Sequence, residues 1–137
     1  MKSTVIPIIR YANASHAIDW LQAAFGFEPF LKVPGADGRI EHARLVLGDG
    51  MIMVASLDRQ GPFEHRFRSP HAAGGVTQAI CMIVRDPDQI YRMAKAASAR
   101  IIDELADFQF GGRTFSCEDC ESHVWVFTSH DHWEKLW

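Results

Sequence analysis

No run of apolar residues in this chain of 137 is long enough to span a bilayer, and its start lacks the charged segment and apolar stretch of a secretory leader. Concentrated basic charge is missing too. The 14 Lys and Arg are scattered among 17 Asp and Glu, for a net charge of -3, whereas phosphate recognition relies on clustered cations. These absences argue against nucleic acid and membrane as partners. Cysteine is scarce: three thiols, an odd number with no leader, point to reduced side chains in a cytoplasmic protein. Cys117 and Cys120 form a C-x-x-C, but no second such pair supplies the other ligands of a structural zinc site. The pair also falls at a strand end and turn, not at the helix N-terminus where a redox thiol is activated. Both thiols read as incidental.

What the chain does have is itself twice. A strand-like run, Val5 to Tyr11, leads into a helix whose apolar stripe is Ala17, Ile18, Leu21, Ala24 and Phe25, capped at Asn13 or Ser15 and stopped by Gly26. Seventy-two residues on, Ala79 to Val84 leads into a second helix, with Asp86 as cap, Pro87 at its first position and Ile90, Met93, Ala94 and Ala97 inward. Each half closes on an apolar strand, Met51–Ala55 and Val124–Thr128, offset by 73. A single period of this size means two copies of one unit. Turn clusters at 34–38, 48–50 and 111–112 separate the remaining strands. Each half therefore reads strand, helix, three strands, an α+β pattern of two βαβββ modules. Module one covers about 1–56, a linker about 57–75, module two about 76–130, and 131–137 is a C-terminal tail of one single domain. A 20-residue linker is long for a compact domain, which suits a segment crossing an open face or an exchange of halves between chains.

Strand alternation separates two faces. Ala43, Leu45, Leu47, Ile52, Val54, Trp125 and Phe127 belong beneath the helices, with Trp20, Phe25 and Phe27. His42, Arg44, Val46, Met51, Met53, Ala55, Val124, Val126 and Thr128 belong on the open face. Residues two apart share a face, so His42 and Arg44 project together, Arg44 suited to a carboxylate or phenolate and His42 to moving one proton. Arg113 reads from the residues alone as the partner of Glu118 or Asp119 across the sheet. His123, His130 and His132 crowd the end of the chain and read as a solvated tail; His65 and His71 read as surface residues of the linker.

The segment Gly112-Arg113-Thr114-Phe115-Ser116 through Asp119-Cys120-Glu121-Ser122-His123-Val124-Trp125 resembles the second module of the vicinal oxygen chelate superfamily, which holds glyoxalase I, extradiol dioxygenases, and fosfomycin- and bleomycin-resistance proteins. Ile8-Ile9-Arg10, Ala17-Ile18-Asp19-Trp20 and Ala24-Phe25-Gly26-Phe27 resemble its opening strand and helix. Cys120 stands where the family usually has Pro. The resemblance implies curved sheets around a cleft, completed by dimerisation into a homodimer. It also implies where a divalent metal is held, by His or Glu on the first and last strand of each module. Those positions fall on Pro7, Met53, Ala79 and Val126, none a plausible ligand for a hard cation. The resemblance is therefore closest to the metal-free antibiotic-binding branch, with no cofactor, no metal and no catalytic residue assigned. The predicted ligand-binding set is Pro7, Ile9, His42, Arg44, Met53, Phe108, Phe110, Arg113, Phe115, Val126 and Trp133, with Trp137 a further stacking surface. The predicted function is sequestration of a small aromatic or peptide-like compound such as an antibiotic or toxin. A glyoxalase- or dioxygenase-like metal enzyme, and a metal-free isomerase or lyase using His42, stand as alternatives.

Overall fold

The computed structural model describes residues 1–135; Trp137 lies outside the described residues. Two βαβββ modules follow one another. In the first, β1 (Ile8–Tyr11), α1 (Ala14–Phe25), β2 (Glu28–Pro34), β3 (Ile40–Leu47) and β4 (Gly50–Ser56) form a mixed sheet of order β1-β4-β3-β2. The linker holds a single turn at Glu64–Arg66 and a one-turn helix α2 (Pro70–Ala73). The second module repeats the plan with β5 (Ile80–Ile83), α3 (Pro87–Ala96), β6 (Arg100–Asp107), β7 (Arg113–Glu118) and β8 (Val124–Thr128), in the order β5-β8-β7-β6. In each module the first strand runs parallel to the last, and the other pairings are antiparallel.

Local chemistry sets the helices. The Asn13 side chain accepts from the His16 N–H, and Gly26 ends α1 in the left-handed region at φ 86°. Asp86 accepts from the Gln89 N–H ahead of Pro87, which has no N–H to leave unpaired. The two caps lie 73 residues apart. Strand register extends that offset to the whole unit: Ile8 lies beside Met53 and Cys81 beside Val126. The offset of 72 read for the opening strands is therefore one residue short, because two short apolar runs give no internal mark of their register.

The helix-bearing faces of both sheets share one core. Phe25 meets Phe127 at 4.7 Å and Trp125 at 5.3 Å between ring centroids, Phe27 meets Trp125 at 5.6 Å, and the Trp20 indole N–H donates to the Ala97 carbonyl at 2.9 Å. The open face of each sheet is the one turned from this core, as strand alternation requires.

A polar clasp reinforces this packing. The buried Asp119 carboxylate accepts from the Tyr11 hydroxyl (2.6 Å), the Trp125 indole (3.0 Å) and the backbone N–H groups of Glu121 (2.9 Å) and His123 (3.1 Å). Glu121 accepts from the N–H groups of Ala12 and Asn13 at 2.7 and 2.9 Å, at the corner where β1 becomes α1. The turn between β7 and β8 thus grips the other module. Burial and the facing Asp119 raise the Tyr11 hydroxyl well above its ordinary pKa, so it stays a donor.

Candidate functional site

On the open face of the first sheet, one row crosses all four strands: Ile8 beside Met53, Met53 beside Arg44, Arg44 beside Leu31. Ile8 and Leu31, on the two edge strands, are both 39% exposed, so the row ends in uncovered apolar side chains. Val33, 40% exposed, flanks His42, and Met51 flanks Val46. The surface is apolar with one guanidinium at its centre. The Arg44 Nε–H donates to His42 Nε2 at 3.1 Å, which places the imidazole proton on Nδ1. Partial burial, then the charges of Arg44, Arg10 and Arg59, lower the His42 pKa, so the ring is neutral at neutral pH.

Beside this row the linker crosses the face. Arg10, 8% exposed, donates through Nε and Nη2 to both oxygens of Glu64 at 2.8 and 2.9 Å, and its guanidinium lies 4.9 Å from the centre of the Phe67 ring. Arg59 joins Glu64 at 3.3 Å and Glu41 at 3.4 Å. The hydrogen bonds from Arg10 outweigh burial and hold the Glu64 carboxyl below its ordinary pKa. Arg10 and Glu64 were not in the predicted set. Arg10 was missed because the ligand side of β1 was read at Pro7 and Ile9, one residue from Ile8 and Arg10; Glu64 lies in a segment with no period to follow.

The second open face carries Cys81, Ile83, Val124 and Val126. One end is closed by an aromatic cluster: Phe108 packs on Phe110 (5.5 Å), His130 (5.0 Å) and His132 (6.0 Å). His130 is buried, in place of the solvated position read from the sequence. The chain turns tightly here. A side chain at Gly112, φ 78°, would meet the His130 backbone nitrogen at 2.8 Å, so only glycine fits.

The predicted ligand residues divide among these places. His42, Arg44 and Met53 share the first open face, and Val126 lies on the second. Ile9 and Phe115 point into the core, 5% and 1% exposed, because their neighbours across the sheet, Val54 and Phe127, are core residues. Pro7 is half-buried and its carbonyl accepts from the Met53 N–H at 2.9 Å, so Ile8 takes the outward place next to Met53. Ala79 likewise precedes β5, and Cys81 takes the place beside Val126. Arg113 pairs with Asp88 and Asp107, both at 2.9 Å, not with Glu118 or Asp119. Phe108 belongs to the cluster closing the second face, Phe110 is exposed at its edge, and Trp133 is 88% exposed.

A groove of roughly 1930 Å³ runs between the free edges of β1 and β5, bordered by Ile8, Arg10, Met51, Cys81, Ile83 and His123. Single-ligand sites usually measure ~300–1,000 Å³. The groove has the dimensions of a contact surface, and it omits His42, Arg44 and Met53, whose chemistry is the more specific. Burial raises both thiols of the C-x-x-C to about 12, with Asp119 adding to the effect, so Cys117 and Cys120 stay protonated and inert.

The sequence profile of the Glyoxalase/Bleomycin resistance protein/Dioxygenase superfamily matches residues 5–127. The chain belongs to this superfamily. Among solved structures, TioX from Micromonospora sp. ML1 is 32% identical, with a TM-score of 0.72 over 92% of this chain and 94% of that one. The fosfomycin resistance protein FosX of Listeria monocytogenes shares the fold, at 13% identity and a TM-score of 0.67 over 96% of this chain and 94% of its own. An uncharacterised protein of Mycobacterium bovis is 29% identical over 113 residues, 82% of this chain and 74% of that protein. Mycobacterium tuberculosis counterparts match at the same identity, and the alignment spans 66% of their length.

Members of this superfamily that act as enzymes usually hold a divalent metal between paired strands. The outward residues on the paired strands here are Ile8, Met53, Cys81 and Val126, which offer a thioether and a thiol but no carboxylate or imidazole. That donor set does not fit a hard divalent cation. Among the described residues, no group of three or more His, Cys, Asp or Glu side chains is placed to hold a metal ion. No described helix is long and apolar enough to cross a membrane.

Proposed function

We propose that this protein binds a small, flat, largely apolar compound without the help of a metal and acts by sequestering it. The observation that carries this reading is the outward row Ile8, Met53, Arg44 and Leu31, an apolar surface with a single polar anchor, the ordinary character of a small-molecule site. The chain alone offers this surface as an open wall, with Ile8 and Leu31 exposed along it. A second copy closing over the wall completes the cleft, and the exposed Ile8 and Ile83 beside the groove between β1 and β5 supply apolar area for that contact. The physiological role that fits is resistance to an antibiotic or toxin. Sequestration is stoichiometric, so it demands a dissociation constant below the concentration of the compound to be removed.

Catalysis by His42 is the weaker reading. Its basic nitrogen already accepts from Arg44, and its pKa is lowered, which together suit a residue that orients the guanidinium. The test is a thermal-shift and calorimetric screen of aromatic antibiotics on untagged protein dialysed against a chelator. Saturable one-per-site binding, unchanged by the chelator and with the compound recovered intact, is expected. Chelator-sensitive turnover would overturn the proposal, and turnover lost in His42→Ala would favour the isomerase or lyase.

A further inference from the structure

We infer that the compound bound on the first open face is an anion, a carboxylate or similar planar oxyanion on a flat apolar body, and that the Arg44 guanidinium grips it. This rests on the binding reading above and adds the charge of the ligand.

The inference comes from the distribution of charge on that face. Three guanidinium groups, Arg10, Arg44 and Arg59, lie close enough to His42 to act on it electrostatically. Two of them are answered. Glu64 takes Arg10 in a two-pronged pair, and Arg59 bridges Glu64 and Glu41. Arg44 has no carboxylate partner among the described residues; its one side-chain hydrogen bond is the donation from Nε to His42. The neighbouring imidazole is neutral and offsets nothing. One positive charge is therefore left over, in the middle of an otherwise apolar row.

Geometry limits what can satisfy it. With Nε occupied, both terminal nitrogens of Arg44 remain, and their parallel N–H groups match the two oxygens of a carboxylate. His42 fixes the plane of the guanidinium in advance, which lowers the entropy lost when an anion docks. Met53 and Leu31 on either side offer apolar surface to the body of the same molecule. A cation placed here would meet an uncompensated like charge, and a neutral compound would leave that charge desolvated without a partner. A covering second copy makes the pairing stronger, because water that screens Arg44 is removed.

Three probes with one ring system separate these cases: 2-naphthoate, 2-naphthylmethanol and the 2-naphthylmethylammonium ion. Dissociation constants are measured by calorimetry on wild type, Arg44→Gln and, as a charge control on the other sheet, Arg100→Gln. Naphthoate is expected to bind at least tenfold more tightly than the alcohol, about 1.4 kcal/mol, and the ammonium ion weakest. Arg44→Gln removes the preference and Arg100→Gln keeps it. Should Arg44→Gln not fold, salt titration of the wild type replaces it: naphthoate affinity falls with ionic strength while that of the alcohol holds. Equal binding of all three probes sinks the anion inference and leaves the binding reading intact. A preference that survives in Arg44→Gln, or an Arg44→Gln protein that only loses its dimer, sinks the assignment to Arg44. No saturable binding of any probe sinks both.

Discussion

His42 and Arg44 show how two neighbours on a strand fix each other's state. Arg44 needs an acceptor at Nε, and a neutral imidazole supplies it; the arginine charges in turn oppose protonation of the ring. In an NMR titration the His42 ring proton is expected to move with a midpoint below the ordinary histidine value of 6.5. Arg44→Gln is expected to raise that midpoint. Because the unfolded chain takes up this proton at higher pH than the folded one, His42 lowers stability as pH falls through the unfolded value. Ser122 makes a second point at this scale. It adopts φ 72° in the turn between β7 and β8, a region that disfavours residues with a side chain. Ser122→Gly is expected to stabilise the protein by roughly 0.5–1 kcal/mol in urea unfolding, against the usual sign for a glycine substitution.

The linker is the element that behaves least like its composition. Residues rich in Pro, Gly, Arg and His read as loop, yet Glu64 and Phe67 lock onto Arg10 across the open face. Breaking one side of a part-buried pair leaves a guanidinium without its partner, so Glu64→Gln is expected to cost about 2 kcal/mol at neutral pH. The Glu64 carboxyl is held below its ordinary value of 4.5, so this stability is present in full above that value. It is lost as pH falls through the lower value of the folded state, and wild type and variant then converge. Denaturation of both proteins from pH 7 down to 3 checks magnitude and sign together.

At the scale of the whole molecule, the repeat was legible because helices and caps carry their own register. Asp86 with Pro87 marks the second helix start, the choice between Asn13 and Ser15 leaves the first within two residues, and the alternation of His42 and Arg44 with Ala43 and Leu45 assigned their faces. Short apolar strands carry no such mark. That is why Pro7, Ile9 and Ala79 were read one residue from the outward places held by Ile8 and Cys81, and why Phe115 was read as lining a cleft. Contacts between distant segments were not legible at all: Arg113 with Asp88, Arg10 with Glu64, and His130 on Phe108 join residues whose proximity exists only after folding. If a second copy closes the cleft, analytical ultracentrifugation is expected to show a dimer. Ile8→Glu with Ile83→Glu, by placing charges in the apolar contact, is expected to shift it to monomer with an unchanged circular dichroism spectrum.

The grip of Asp119 and Glu121 on Tyr11, Ala12 and Asn13 spans more than a hundred positions along the chain. During synthesis the first module emerges early, but its β1–α1 corner must wait, with Tyr11 unpaired and two N–H groups open, until residue 121 leaves the ribosome. Contacts of such separation form slowly, so a nascent first module is expected to be cut by protease more readily than the finished chain until the last hairpin arrives. The order of translation thus sets the interval of greatest vulnerability for this protein.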